Sequence, residues 1–320
     1  MKVSMDMIDR QYRRNGRFMK VFLRYKDEKA LVTMGRFSQK VLGNKKSLKL
    51  NNDVYFIERE DSRKLRLCVY SPKKKTGGGK LPGILWLHGG GYALGSATMA
   101  IPYAERLILA SEGIVVSPDY TLSGEKPYPA ALEDCYAALL WMKEHADDLG
   151  IYNNQFFVGG DSAGGGLAVA VSLYARDKGE VGIAFQMPLY PMLDDRMTSG
   201  SMINNDAPMW NEHANRLAWR LYLDNMYGKD DVSVYAAPAR EMNYKNLPPA
   251  FSVVGSLDPF HDETVCYMEN LRAAGIEVEF YEYEGCFHAF DQANAKADKS
   301  QDALTKLAAA YKKAVLSIFK

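Results

Sequence analysis

Ser162 lies in the segment Gly160–Gly164, where small residues flank the serine. A short apolar run precedes this segment, and a stretch of small residues follows it. The run Gln155–Gly159 before it predicts a strand, and Gly165–Ala170 after it predicts a helix. A serine on so sharp a strand-to-helix turn has a strained backbone, and only small neighbours avoid a clash across the turn. We expect its hydroxyl to be exposed at the end of a sheet, beside a helix N-terminus that favours negative charge.

A second glycine-rich segment, His88–Tyr92, follows the buried apolar run Ile84–Leu87. Three consecutive glycines leave the backbone bare, so their amides can approach a substrate oxygen and stabilise an oxyanion. A flexible turn or a phosphate cradle is the alternative, but the glycine spacing fits neither the dinucleotide nor the Walker pattern. The segment also precedes Ser162, which is the chain order expected of an oxyanion loop and its nucleophile.

A serine nucleophile needs a general base, and His288 is the best placed of the five histidines. It lies in the loop Gly285–Phe290, just after the strand-like run Val278–Tyr283. A loop at the end of a last strand is where the base of such a site is expected. We interpret His213, in a helical segment, and His261, at the entrance to a helix, as exposed or capping residues.

The candidate acid that orients this histidine is Asp258. It comes first after the strand-like run Ala250–Gly255 and precedes a proline, which keeps it extended in the loop. Asp262 and Glu263 fit better as favourable charges at the N-terminus of the next helix.

With these motifs the chain resembles the hormone-sensitive-lipase-like branch of the α/β-hydrolases, the bacterial family IV esterases. The resemblance extends through Pro118–Leu122, Pro127–Asp134 and Asp258–Glu263, and it covers about residues 50 to 320. It implies an α/β-hydrolase fold: a mostly parallel, eight-stranded sheet flanked by helices and covered by a helical cap. It implies no cofactor.

The resemblance also implies a role for individual residues. Ser162 would be the nucleophile, His288 the general base and Asp258 the acid that orients it. The oxyanion donors would be the backbone amides of Gly90, Gly91 and Ala163.

Four positions depart from the family's usual residues. Thr121 stands where arginine is usual, Gly166 where asparagine often occurs, and Tyr92 where phenylalanine or tryptophan is commoner. Ala289 replaces the glycine that usually follows the catalytic histidine. None of these removes a catalytic group, so they bear on substrate preference and not on the reaction.

Strand-like and helix-like patterns alternate along the chain, without internal repeats. This alternation favours a mostly parallel sheet covered on both faces. The predicted strands are Val54–Ile57, Leu65–Tyr70, Ile84–Leu87, Ile114–Ser117, Phe156–Val158, Ile183–Gln186, Phe251–Val254 and Val278–Tyr283. The predicted helices are Met99–Ser111, Ala130–His145, Ala163–Arg176, Glu263–Ala274 and Gln301–Ile318.

Two segments interrupt this alternation of strand-like and helix-like patterns. Residues 1 to about 50 show apolar side chains at helical spacing and hold 14 Lys or Arg against 4 Asp or Glu. We interpret them as a basic helical arm on an acidic body, with an anionic membrane or nucleic acid as the alternative. Leu193 to about Gly228 is rich in methionine and tryptophan, which adapt to irregular apolar space or fill a core. In this family both segments form the cap.

The expected organisation is therefore a cap segment at 1–50, a catalytic core at 51–192 and 229–320, and a cap insertion at 193–228. Some residues of the cap and of the glycine loop are expected to contact substrate. The candidates are Tyr92, Met192 and Trp210.

Composition agrees with a globular enzyme. A chain of 320 residues suits one α/β domain with an added cap, and its net charge of +1 favours no nucleic-acid partner. Its scattered cysteines predict free thiols and no metal site. The N-terminus has no apolar signal-peptide core and no run is long enough to span a membrane. The expected location is cytoplasmic, without stable membrane association, and a homodimer is a possible assembly.

The hypothesis is a serine carboxylesterase that hydrolyses short-chain acyl esters through an acyl-enzyme. A deacetylase of acetylated sugars and an amidase are alternatives that use the same chemistry. A non-catalytic ligand receptor on this fold is the alternative from a different class, but receptors of this family have lost the catalytic histidine and His288 is present.

Overall fold

The structure, a computed structural model, describes residues 1–22, 25–59 and 63–319, without the side chain of residue 22. Its described strands form one eight-stranded sheet in the order β1-β2-β4-β3-β5-β6-β7-β8. The strands β1 and β2 pair antiparallel, as do β2 and β4, and the other neighbours are parallel. The bounds are β1 Leu50–Glu58, β2 Lys64–Pro72, β3 Gly83–Leu87, β4 Ile114–Pro118, β5 Phe156–Asp161, β6 Ile183–Leu189, β7 Ala250–Gly255 and β8 Val278–Tyr283.

Helices connect the strands and also precede the sheet. The described α-helices are α1 Arg13–Phe22, α2 Glu28–Leu42, α3 Ile101–Ala110, α4 Ala130–Glu144, α5 Ala146–Leu149, α6 Ala163–Lys178, α7 Glu212–Leu223, α8 His261–Ala273, α9 Phe290–Ala293 and α10 Asp298–Ile318. No helix in the described part of the chain is long and apolar enough to cross a membrane.

The alternating direction of side chains along the central strands divides the core into two layers. On β3, Ile84 and Trp86 are buried with α3 and α10, whereas Leu85 and Leu87 are buried with α4 and α6. Successive side chains of a strand point to opposite faces, so each face supports its own pair of helices. Each large apolar side chain buried in this way contributes about 1.5–3 kcal/mol. The prediction of an α/β-hydrolase sheet covered on both faces is confirmed.

The sequence patterns locate all eight strands, and most differences between the predicted and observed bounds lie at the ends of the strands. The N-terminal arm differs more, because Met5–Tyr12 forms turns and the first helix begins only at Arg13. Ile8 and Tyr12 are nevertheless fully buried. The regular spacing of apolar residues in Met5–Tyr12 therefore reflects their burial against the body of the protein and not a helix.

The N-terminal arm and the 193–228 insertion lie together over one end of the sheet. The helices α2 and α7 pack against each other. At Gly35 of α2, a Cβ atom would lie 2.2 Å from the carbonyl oxygen of Ala93, so this helix packs directly on the loop after the consecutive glycines. His213 Nε2 of α7 lies 2.9 Å from the carbonyl oxygen of Tyr25, which links the two segments.

Candidate active site

The turn that carries Ser162 is strained and tightly packed. Its φ of 57° and ψ of −121° lie in a region that costs a non-glycine residue about 1–3 kcal/mol. Its amide donates to the carbonyl oxygen of Leu189 at 3.0 Å, and its carbonyl oxygen accepts from the amide of Met192 at 3.0 Å. A Cβ atom at Gly160 or Gly164 would lie 2.3 or 2.0 Å from a backbone oxygen. The small residues of the motif are therefore a steric requirement of this turn.

Three side chains from different loops form one hydrogen-bonded chain. His288 Nε2 lies 2.8 Å from Ser162 Oγ, and His288 Nδ1 lies 2.8 Å from Asp258 Oδ2. The three residues are 3%, 5% and 0% exposed for His288, Ser162 and Asp258. The serine follows β5, the aspartate follows β7 and the histidine follows β8, so the sheet brings together residues separated by up to 126 positions.

Neighbouring groups fix the orientation of the histidine and the acid. The second carboxylate oxygen of Asp258 accepts from the amide of Phe260 at 2.8 Å. The imidazole of His288 lies edge-on to the rings of Phe260 and Tyr190, with centroid distances of 4.9 and 5.0 Å. With one oxygen held by a backbone amide, the other faces Nδ1, which favours the tautomer whose Nε2 accepts a proton.

The other acidic residues after β7 have structural roles. Asp262 lies 2.9 Å from Nδ1 of His261, whose Nε2 lies 2.6 Å from Glu282. Glu263 is buried and accepts the amide of Leu193 at 2.7 Å. That contact ties the start of the 193–228 insertion to α8, a function that the sequence pattern did not indicate.

The glycine loop allows a close approach that no other residue permits. Gly90 and Gly91 have φ values of 122° and 58°, which disfavour residues with a side chain. A Cβ atom at Gly91 would lie 2.4 Å from the ring of Trp210. Among the described residues, the amides of Gly90, Gly91 and Ala163 donate to no other group. Backbone amides left free beside a nucleophile are available to a substrate oxygen.

A cavity of about 330 Å³ opens onto the hydrogen-bonded side chains of Ser162 and His288. Ser162 and His288 lie in its wall together with Gly90 of the glycine loop. Trp210 of the insertion and Tyr25 of the N-terminal arm also line it, and their rings are 6.0 Å apart. Both segments outside the sheet therefore contribute to the cavity wall.

Two of the three expected substrate contacts require correction. Tyr92 and Met192 are 1% and 0% exposed, and neither lines the cavity. Tyr92 stacks on Tyr222 with a centroid distance of 3.9 Å and donates to the carbonyl oxygen of Met192 at 3.0 Å. Both residues support the site from within the core, because packing against α7 turns the tyrosine ring away from the serine.

The structure accounts for two further unusual residues, Gly166 by packing and Thr121 by hydrogen bonds, and it has no explanation for alanine at position 289. A Cβ atom at Gly166 would lie 2.2 Å from the carbonyl oxygen of Met192, so no larger residue fits there. Thr121 donates its amide and hydroxyl to Asp134, which also forms a two-pronged ion pair with Arg59 at 2.7 and 2.8 Å. Ala289 has a φ of 53°, a left-handed conformation in which glycine is usual, and it lines the catalytic cavity.

A polar network behind the serine, buried except for the exposed Gln292, was not predicted. Gln292 Nε2 donates to Asp161 Oδ2 at 3.0 Å and to the hydroxyl of Tyr103 at 2.9 Å. The hydroxyls of Tyr103 and Tyr190 donate to the carboxyl group of Asp291 at 2.8 and 2.6 Å. Burial, followed by the charge of Asp291, raises the pKa of Asp161 to about 7. The residues lie far apart in the sequence, so no local pattern links them.

We expect Asp161→Asn to reduce the pH dependence of stability. Because the folded-state pKa of this carboxyl group lies above its unfolded value, the free energy of unfolding falls as pH rises from about 4 to about 7. An amide has no charge to bury. Urea unfolding at pH 5 and pH 8 should show a smaller difference for the variant than for wild type, by an amount on the order of a few kcal/mol. Exposed Asp148→Asn is the control, and an unchanged difference in Asp161→Asn would contradict the argument.

The described residues include no group of three or more His, Cys, Asp or Glu side chains that could hold a metal ion. The cysteines Cys68, Cys135, Cys266 and Cys286 are unpaired.

Known proteins share this architecture. Residues 84–292 match a family described as alpha/beta hydrolase fold. Esterase LipI of Mycobacterium tuberculosis is 34% identical over 223 residues, which cover 69% of each chain. An arylesterase of Saccharolobus solfataricus is 31% identical over 246 residues, which cover 73% of this chain and 75% of the other. The solved structure of a bacterial heroin esterase superposes with a TM-score of 0.86 at 31% identity and covers 98% of this chain and 99% of that one.

Proposed function

Because this chain belongs to the α/β-hydrolase family, in its hormone-sensitive-lipase-like branch, and is a carboxylic ester hydrolase, we propose that Ser162, His288 and Asp258 are its catalytic triad. The observation that carries the proposal is the unbroken chain of two 2.8 Å contacts from the serine oxygen to the buried carboxylate. This is the arrangement by which an imidazole activates a hydroxyl and is itself oriented by an acid.

The reaction follows from these contacts. Ser162 Oγ attacks the ester carbonyl carbon while its proton moves to Nε2 of His288. Asp258 stabilises the resulting imidazolium through Nδ1. The imidazolium then protonates the departing alcohol oxygen and leaves an acyl group on the serine. Water activated by the same imidazole attacks that acyl group and releases the acid.

The negative charge of each tetrahedral intermediate needs donors that are already in position. We assign that role to the amides of Gly90, Gly91 and Ala163, which have no other acceptor in the described part of the chain. Loss of a single donor of this kind in other hydrolases costs about 10²–10³ in kcat. The ring of Trp210 lies directly against the loop at Gly91, so a side chain at that position would collide with it.

Labelling tests the nucleophile directly. A fluorophosphonate probe at stoichiometric dose should modify one residue, Ser162, because among the described residues it is the serine whose hydroxyl contacts an imidazole. Peptide mass spectrometry identifies the modified site. Ser96 is a useful internal control, since its hydroxyl donates to Asp119 at 3.0 Å and has no imidazole partner. Primary labelling of Ser96 or Ser256 would overturn the assignment.

We propose short-chain acyl esters as substrates, because cap segments close the cavity around Ser162. Each added methylene contributes about 0.8 kcal/mol only while there is room for it. With p-nitrophenyl esters, kcat/KM should rise from acetate to butyrate or hexanoate and then fall. Activity should not increase at a lipid interface. A best rate with palmitate would contradict the cap model.

The N-terminal arm (1–50) and the insertion (193–228) are proposed as that cap. Tyr12 of the arm packs edge-on against Phe287 and Phe290, which flank the catalytic histidine in the sequence. Removing residues 1 to about 35 should therefore impair ester hydrolysis by exposing apolar surface and loosening the histidine loop. Tyr12→Phe, which keeps the ring, is the milder control. Full activity with the same chain-length profile after truncation would refute this role.

Two alternatives use the same triad, a deacetylase of acetylated sugars and an amidase. Acetylated xylan and p-nitroacetanilide, tested beside the ester series, distinguish them. The receptor alternative is disfavoured because His288 is present and in contact with Ser162. A cytoplasmic location and a homodimer stay predictions.

A further inference from the structure

A second cavity, of about 460 Å³, adjoins the catalytic one. The two cavities share three wall residues, Leu42, Met99 and Gln292. These three side chains border both spaces, so a ligand anchored at Ser162 reaches the second space where it passes between them or moves them aside. A short acyl group bound beside the serine does not need this additional volume.

Two cations lie at the edge of the second cavity. Lys45 and Lys46 follow α2, and both side chains are exposed and line the cavity. Within residues 1–22, 25–59 and 63–319, neither side chain has an ion pair or a hydrogen bond. The nearby Lys49 differs, because it already pairs with Glu105 at 2.8 Å. Two unpartnered ammonium groups at a cavity edge are suited to an anion.

The rest of the wall is mostly apolar and offers no free negative charge. Ile101, Pro102 and Leu304 contribute apolar side chains to this wall. Asp291 is the one carboxyl residue among the described residues of this wall. It is buried and accepts hydrogen bonds from two tyrosine hydroxyls, and burial raises its pKa. Each of its two oxygens is held by one of these hydroxyls, so it does not face an anion at the edge as a free carboxylate.

Resting on the proposed function, we propose that the second cavity binds the alcohol part of esters whose alcohol carries a terminal carboxylate, with Lys45 and Lys46 as its partners. Gln292, which both cavities share, follows His288 by four residues. In the proposed reaction His288 protonates the departing alcohol, and it lines the catalytic cavity together with Gln292, so we assign the alcohol to the side that Gln292 borders. The apolar wall accommodates the methylenes between the ester oxygen and the carboxylate.

Matched substrates and variants test this inference. The substrates are 6-acetoxyhexanoate, its methyl ester and hexyl acetate, with acetate release followed by chromatography. Wild type should prefer the carboxylate over both neutral esters, and added salt should weaken the preference. Lys45→Gln with Lys46→Gln should lower that preference about three- to tenfold, as expected for two partly exposed charge pairs, and mainly through KM. Arginine at both positions should retain it.

The control is Lys74→Gln with Lys75→Gln, two exposed lysines of another loop, which should keep the wild-type preference. The inference is overturned if wild type does not prefer the carboxylate, or if the Lys45 and Lys46 double variant retains the preference. Hydrolysis of p-nitrophenyl acetate and fluorophosphonate labelling report on the triad separately. If both persist while the preference is absent, only this inference fails. If both are absent, the proposed function fails as well.

Discussion

Replacing Ser162 with alanine is expected to lower kcat for p-nitrophenyl butyrate by about 10⁶-fold. The alanine lacks the oxygen that lies 2.8 Å from His288 Nε2, so no acyl-enzyme can form. Any residual rate should come from the free amides and from substrate binding alone, which in other triad enzymes leaves about 10³–10⁴-fold over water. Initial rates with active-site-titrated wild type as reference measure the loss.

Two controls make this result specific. Thermal unfolding should show that the variant is folded, since alanine requires no more space on the turn than serine. Ser256→Ala changes a hydroxyl that accepts the amide of Gly285 at 2.9 Å, in the segment leading to the histidine. It should retain far more activity than Ser162→Ala. Full turnover by Ser162→Ala would exclude the serine as nucleophile.

Asp258→Asn should reduce kcat by about 10⁴-fold. The carboxylate accepts from His288 Nδ1, whereas an amide can present its NH₂ group there and stabilise the tautomer with the proton on Nε2. That tautomer cannot accept the proton of Ser162. The measurement is kcat for a short-chain p-nitrophenyl ester near neutral pH.

Asp262→Asn is the matched control, because it lies four residues away and contacts His261 instead of His288. Its pKa is lowered: burial opposes the shift, but hydrogen bonds from His261 and from the amide of Ser201 outweigh it. Its loss should affect stability and leave most activity. If Asp262→Asn proves the more damaging change, the assignment of the triad acid is wrong.

The sequence identified the fold because its strands and helices are locally encoded. The buried run Ile84–Leu87 is apolar throughout, and Ile114–Pro118 is apolar except for Ser117, as expected of strands covered on both faces. The turn around Ser162 needs small residues within a few positions of the serine, so the nucleophile motif is also local. A pattern that depends only on near neighbours can be read without knowing what packs against it.

The second helix of the arm shows the limit of that reasoning. Glu28–Leu42 buries only Leu31 and Gly35, and its exposed face carries Phe37 at 61% exposure. Its apolar pattern is therefore weak, although Asp27 caps its N-terminus by accepting the amide of Ala30 at 2.8 Å. What keeps this helix in place is packing on the loop near Ala93, which is distant in the sequence.

The lining of the catalytic cavity was decided by tertiary structure. Tyr92 lies in the glycine loop, Met192 directly before the cap insertion and Trp210 within it, yet of these three only Trp210 lines the cavity. Tyr92 is instead turned into the core by its stacking on Tyr222 of α7, 130 residues later. Side-chain direction at a turn depends on such distant partners, which spacing along the chain does not specify.

By itself, then, the sequence determined the sheet, its flanking helices and the three residues proposed as the triad. The strands, the helices and the serine turn rest on local steric or hydrophobic requirements, whereas Asp258 and His288 were identified by their positions after predicted strands and by the family resemblance. Only the tertiary structure brought Asp161 and Asp291 into one buried network and placed Lys45 and Lys46 at a cavity that adjoins the one beside Ser162. Burial and electrostatic environment are properties of surrounding segments, so they arise only when the chain has folded.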